Sequence, residues 1–405
     1  MDKNTIIGFV LIAALLIGFS WYTQPSEEDI AKQRMQDSIT ALAKKKAEES
    51  RNAEAQASNQ NVQNNVNADT TAVFYKSLSG KAQNIILKNS KLELTLSTKG
   101  GTVEKAVIKD FKDNKGNKDL TLFDSKDQSL KFMLEGKETN IITSDLYFTP
   151  SNITDSTVTM TAVGSNGRSL VMNYKLGKNY LLHFSLKANG MSGLFSPNYN
   201  KLDIEWTDHC RQQEKGFTFE NRYASLTYHF TDGGTDYISE TSEKVDEKIE
   251  DAIDWVAFKN QFFSAVMIAK DDLGTNSLMT SIPQEKGSGY LKQYGAKVKT
   301  SFDPTGNNST ELEFYYGPND FRLLQKIEKE STFNKDLELH RLVYLGWPLF
   351  RIINRWFTLY VFDWLTGLNI NMGIVLILIT LLLKVITYPL VKKSYMSSAK
   401  MRVLK

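Results

Sequence analysis

The side chains able to do chemistry are few and scattered. The chain has four histidines, His183, His209, His229 and His340, and one cysteine, Cys210. Protein metal sites bring such ligands together at short, regular spacing, and these residues show none. No metal or other cofactor is expected. There is no G-x-S-x-G, no HExxH, no phosphate-binding glycine loop and no paired CxxC, so no catalytic residue stands out. Carboxylates are abundant, yet no pair is singled out. The run Asp246–Asp254, DEKIEDAID, reads as the solvated face of a helix. A lone cysteine makes no intrachain disulfide, and Cys210 is expected to pack as a small buried group.

One charge stands where charge is expensive. Gly373–Leu390 reads GIVLILITLLLKVITYPL, with Lys384 inside it. A segment of this length and character reads as a membrane span. A central lysine in a span costs about 2.5–3.5 kcal/mol on insertion scales. At about 100° per residue, Gly373, Thr380, Lys384 and Thr387 share one face, opposite Ile, Leu and Val. Either this face borders a polar cavity, or the lysine stem snorkels toward the Leu390 end, about 9 Å away. Lys392, Lys393, Lys400 and Arg402 follow, which marks that end as cytosolic.

The rest of the chain must position this segment. Of its 405 residues, 41% are hydrophobic and 23% charged. Mean hydropathy is −0.33, so the apolar content is concentrated in a few segments. Net charge is +3, which implies no nucleic acid or other polyanion partner. Ile6–Tyr22, IIGFVLIAALLIGFSWY, is uncharged, preceded by Lys3 and closed by Trp21 and Tyr22. It reads as an uncleaved span with a cytosolic amino terminus; a signal peptide has a shorter apolar core and a small-x-small site. Ser26–Ala57 is a charged helical pattern, and Ser58–Asp69 is polar and low in complexity, together a tether.

From Ala72 to Gly317 strand signals dominate. Leu92, Leu94 and Leu96 alternate with polar residues, as do Leu182, Phe184, Leu186 and Ala188, and Leu312, Phe314 and Tyr316. Period two marks strands with one buried face. Turn residues separate them, among them Gly100-Gly101, Asn189-Gly190 and Gly233-Gly234. The expected fold is mainly β, a large antiparallel sandwich. Then Trp347–Trp364, WPLFRIINRWFTLYVFDW, turns helical. Arg351, Asn354, Arg355 and Thr358 form one polar stripe, while Trp347, Trp356 and the rest are apolar or aromatic. This reads as a helix lying in the membrane interface, since a third span would put the final lysines on the wrong side. The expected order is a cytosolic start (1–5), a span (6–22), a tether (23–71), a β-domain (72–330), a connector (331–346), an interfacial helix (347–366), a span (370–390) and the start of a cytosolic helical segment (391–405).

The segment Asn371–Leu404, NMGIVLILITLLLKVITYPLVKKSYMSSAKMRVL, resembles the YidC/Oxa/Alb family of bacterial membrane protein insertases. The matching features are a span with a central basic residue at Lys384, the Tyr388-Pro389-Leu390 end, and Ser398-Ala399-Lys400-Met401. Ser97–Val107 (STKGGTVEKAV), Trp255–Phe263 (WVAFKNQFF) and Tyr315–Pro318 (YYGP) resemble the family's periplasmic domain, and the likeness runs from the first span to the last residue. It implies an inner-membrane protein with a periplasmic β-supersandwich and no enzymatic activity. It also implies a charged intramembrane groove, in which Lys384 attracts the polar tails of nascent inner-membrane proteins. The implied partners are those proteins, the Sec translocon and membrane lipids. Family members with this domain carry arginine at the Lys384 position; lysine keeps the charge but not the planar fork. The family has three further spans, so the chain is expected to be part of a longer one. Two other readings of the residues stand beside this: a membrane-anchored docking module, and a mutarotase-like carbohydrate enzyme, which would need histidine and carboxylate to converge.

Overall fold

The computed structural model describes residues 73–114, 116, 118–238, 244–346, 351, 353–368 and 370–403. The expected first span and tether, and Trp347, lie outside the described residues. Three antiparallel sheets dominate. The nine-stranded sheet runs, edge to edge, Thr235–Tyr237, Ser225–Phe230, Ile253–Lys259, Phe263–Ala269, Thr310–Pro318, Leu181–Asn189, Ser169–Leu176, Thr157–Val163 and Thr149–Ser151. The six-stranded sheet runs Val245–Ile249, Ser277–Pro283, Tyr290–Ser301, Lys201–Arg211, Gln128–Leu134 and Ile141–Ile142. The four-stranded sheet is Asn84–Lys88, Leu92–Ser97, Val103–Lys112 and Asp119–Phe123 in chain order.

The alternating apolar residues meet between sheets. Leu92, Leu94 and Leu96 are buried, as are Leu182, Phe184 and Leu186. Phe132 of the six-stranded sheet stacks on Phe184 of the nine-stranded sheet, with ring centres 5.2 Å apart. Trp206 stacks on Phe258 at 3.9 Å in the same layer. Phe123 brings the four-stranded sheet onto Tyr316 at 5.3 Å. Cys210 is buried, and burial pushes its thiol well up. Two glycines of the motifs have local reasons. Gly101 sits at φ +69°, and a Cβ there would meet the Met172 sulfur at 2.6 Å. A Cβ on Gly317 would lie 2.7 Å from the Tyr315 ring and 2.9 Å from Tyr180.

Two expectations need correction. Asp246–Asp254 is not a helix face. It belongs to strands Val245–Ile249 and Ile253–Lys259 and the turn between them. Val245, Glu247 and Ile249 share one side and pair with Ser277–Pro283, so alternation prevails over charge content. Strand Thr310–Pro318 is buried on both faces, not one: Glu313 and Tyr315 are as buried as Leu312 and Phe314. Ile253–Lys259 and Phe263–Ala269 are likewise buried throughout.

What covers the second face is the stretch 331–346, together with helix α2. Helix α1 is the short Phe217–Tyr223; α2 is Phe321–Glu330, capped by the Asp320 side chain, which accepts from Leu323 N. Residues 331–346 form a strap across the sheet. Leu337, Leu339 and Leu342 are buried in the same core as the strands. Trp255 Nε1 donates to Leu337 O at 2.7 Å, and Lys259 Nζ to Leu342 O at 3.3 Å. Thr332 donates to Glu313 Oε1 through its backbone N at 2.9 Å and its hydroxyl at 2.8 Å. Lys335 Nζ donates to Asp254 Oδ1 at 2.6 Å. The connector is thus a structural part of the β-domain.

Asp208 is a buried carboxyl on strand Lys201–Arg211, and its Oδ1 has no hydrogen-bond partner. Burial, then the nearby Asp127, raises it well above the carboxylate range against the pull of Arg211. Above about pH 4 the unfolded chain releases this proton while the folded chain keeps it, so stability falls as pH rises. Asp208→Asn should therefore raise the melting temperature at neutral pH, with the gain shrinking as pH falls toward 4; a gain independent of pH would contradict this. Leu337→Ala should lower stability by roughly 2–5 kcal/mol, as buried leucine truncations do, read by urea unfolding of the detergent-solubilised chain.

Candidate functional site

Among the described residues, one helix is long and apolar enough to cross a membrane, through Met372–Pro389. It is the first part of α4, Met372–Val403, which continues through Pro389 into the lysine-bearing segment. Pro389 has no N–H, so it forgoes the bond to the fourth residue before it. Asn371 caps the start: its Oδ1 accepts from Gly373 N at 2.8 Å. Before it lies α3, Leu359–Thr366, entered through a π-helical turn at Asn354–Thr358. Val375 and Ile379 of α4 are buried against Leu365 of α3, with Val361, Phe362 and Leu383 alongside. The other apolar side chains described in α4 are exposed, Val385 by 72% and Ile377 by 61%. A contiguous surface of this kind marks contact with lipid or another protein.

The four residues singled out in the span fall on that uncovered side. Gly373, Thr380, Lys384 and Thr387 are all exposed. Their face lies roughly a third of a turn from the packed Val375, Ile379 and Leu383 stripe, at 100° per residue. Thr380 Oγ1 donates to Leu376 O and Thr387 Oγ1 to Leu383 O, each at 2.8 Å. These bonds satisfy the hydroxyl protons within the helix and leave the oxygens free to accept. Lys384 therefore stands beside two acceptor-bearing side chains on an open face.

The polar stripe is shared between solvent and the β-domain: Arg351 and Arg355 are exposed, while Asn354 and Thr358 are half-buried. Asn354 Nδ2 donates to Leu345 O at 3.0 Å, and Thr358 Oγ1 to Asn354 Oδ1 at 3.1 Å. The Arg355 guanidinium lies 6.0 Å from the Phe321 ring centre of α2. The backbone of Trp356 is in the π-helical turn; its side chain lies outside the described residues. Pairing missed from the sequence ties α3 down further. Arg322 donates to Asp363 Oδ2 from Nε at 3.2 Å and from Nη2 at 3.1 Å, while covering the Tyr360 ring at 4.9 Å. A sequence separation of 41 between Arg322 and Asp363 hides the pair from any local pattern.

The structure also brings together groups that sequence position does not. His183 Nδ1 lies 3.0 Å from Glu313 Oε1. His229 lies between Asp254, 3.6 Å away, and Glu338, 3.5 Å away. His340 is 3.9 Å from Glu328. Burial raises the Asp254 carboxyl, but His229 and Lys335 outweigh it and hold it below its usual range. Burial raises Glu313 too, and His183, Ser331 and Thr332 together pull it down. Both carboxylates are thus engaged in pinning the strap. His209 differs: its Nδ1 is 3.3 Å from the Asp127 carbonyl oxygen, and its ring is 5.7 Å from Tyr290.

Known proteins resemble this chain over its whole length. "Membrane protein insertase YidC" of Phocaeicola vulgatus is 49% identical over 407 residues, covering 100% of this chain and 65% of that protein. The protein of the same name in Bacteroides fragilis is 43% identical over 408 residues, with the same coverage. The chain thus spans about 65% of the length of these curated relatives. Among solved structures, a galactose mutarotase-like protein from Lactobacillus casei aligns with TM-score 0.38 and 11% identity, over 58% of this chain and 100% of that one. A galactose mutarotase related enzyme from Lactobacillus acidophilus aligns with TM-score 0.36 and 9% identity, over 58% and 97%. That likeness is too slight to bear on chemistry. Residues 84–360, which hold every strand described above, match the YidC periplasmic domain model, and the chain belongs to that family.

Proposed function

We propose that the chain is the amino-terminal portion of a membrane protein insertase and chaperone of the bacterial inner membrane, working alone or with the Sec translocon. The observation that carries this reading is the open face of α4, where Lys384 stands with Thr380, Thr387 and Gly373 on a helix otherwise fit for lipid. In a low dielectric such a cation attracts an acidic tail strongly. The polar end of an incoming protein then crosses at lower desolvation cost, and its apolar segment moves on into lipid. One helix encloses no groove, so the remaining walls belong to the rest of the protein. The names of the relatives support the same activity.

The topology follows from the charges. Residues 6–22 and 370–390 span the membrane, residues 1–5 and 391–405 are cytosolic, and the β-domain, a β-supersandwich, lies in the periplasm with its tether. The helix of residues 347–366 lies at the periplasmic interface. The substrates are nascent inner-membrane proteins, and lipids surround the spans.

In this reading the chain is not an enzyme. The rival with one observation in its favour is carbohydrate chemistry, because His183 and Glu313 border a shallow cavity of about 150 Å³. Glu313 Oε1, however, already holds both donors of Thr332. The purified chain should therefore leave the rate of aldose anomer exchange unchanged.

The full-length protein carrying Lys384→Glu should fail to complement insertase depletion, and Lys384→Arg should restore growth. Normal growth with the glutamate variant would remove Lys384 from the mechanism.

A further inference from the structure

A second cationic site lies where the β-domain meets the helix before the span. Arg351 and Arg355, one turn apart, line a crevice of about 170 Å³ with Lys259, His340 and Arg341. Lys259 is 7% exposed and is held by Leu342 O at 3.3 Å. Arg341 is shared with Glu338 at 2.7 Å. Arg355 also lies over the Phe321 ring. Asp236 is the one carboxylate in the lining, and its Oδ1 accepts from Tyr237 N at 2.8 Å. Three arginines and Lys259 thus line the crevice with one carboxylate, Arg341 being paired with Glu338 outside the lining, and Arg351 and Arg355 are exposed.

The rim has a different character. Tyr237 and Tyr344 line the crevice and are 50% and 55% exposed. Tyr344 lies 6.4 Å from Tyr223, which lies 5.4 Å from Phe219, itself 56% exposed. A cationic crevice rimmed by exposed aromatic rings suits a molecule with an anionic head and an apolar body. Amphipathic rings favour the membrane interface, and guanidinium forks match phosphate oxygens in pairs. The cavity is smaller than a drug-sized pocket, of a size for a headgroup.

We propose that this crevice binds the phosphate of an anionic phospholipid, seating the β-domain on the membrane surface. The arginines hold the phosphate, and the aromatic rim meets the glycerol and upper acyl chain. The proposal rests on the membrane seating of α4 given above, since that seating brings lipid headgroups to the crevice. The nearest phosphate is then a lipid's rather than a free ion.

The test uses the whole chain in neutral detergent, titrated with short-chain phosphatidylglycerol, short-chain phosphatidylcholine and inorganic phosphate, with bound ligand counted by native mass spectrometry. Phosphatidylglycerol should bind most tightly, at one per chain. Arg351→Gln with Arg355→Gln should weaken it by about tenfold or more, since each basic residue near an anionic surface contributes a comparable share. Lys299→Gln, on the six-stranded sheet, should leave binding unchanged. Asp236→Asn should tighten binding, which keeps the sign testable if the double variant misfolds. Equal binding by the double variant, or weaker binding by Asp236→Asn, would overturn the proposal. Inorganic phosphate binding as tightly as the lipid would overturn the lipid assignment. Protection of the Val385→Cys variant from a water-soluble maleimide reads the seating of α4 separately, so failure of the crevice and failure of the span are told apart.

Discussion

The architecture depends on a sheet that is apolar on both sides. Strands Ile253–Lys259, Phe263–Ala269 and Thr310–Pro318 lie side by side at the centre of the nine-stranded sheet, and nearly every residue is buried. One side faces the other sheets. The other would be bare without the strap, and exposing it would forgo roughly 25 cal/mol for each Å² of apolar surface. The hydrogen bond from Trp255 Nε1 to Leu337 O stands at the middle of this cover. It satisfies the one polar atom of a fully buried indole, which would otherwise be a costly orphan.

The strap also decides how the rest of the chain attaches. It leads directly from the sheet to α3 and α4. Asn354 bonds the strap at Leu345, and Arg322 of α2 bonds Asp363 of α3. The polar stripe Arg351, Asn354, Arg355 and Thr358 is therefore used for contact with the domain as much as for contact with water. The face of α4 bearing Lys384 remains uncovered because Val375, Ile379 and Leu383 are the residues that meet α3.

Much of this was legible in the residues, for identifiable reasons. Strands such as Leu92–Ser97 and Leu181–Asn189 announced themselves because one side faces solvent or polar neighbours, so their residues alternate. The apolar helix Met372–Pro389 announced itself by length and composition, and the groups on its Lys384 face follow from helix geometry alone. Contacts across long separations were not legible. Glu313 looked like the exposed partner in an alternating strand because nothing local says that Thr332 will return to it. Residues 331–346 looked like a connector because buried leucines at 337, 339 and 342 follow no helical or strand period. The Asp246–Asp254 run misled because its charges outweighed a weak alternation at an edge strand.

The order of elements along the chain has a kinetic consequence. Among the described residues every strand precedes residue 319, and the strap comes after all of them. During synthesis from the amino terminus the sheets can pair before residues 331–346 emerge, yet their central strands then present an apolar face with nothing on it. Such half-covered intermediates are the species most prone to associate. The strap supplies that cover, and because it runs directly on into α3 and α4, the closing piece of the sheet and the apolar helix are joined by a short length of chain.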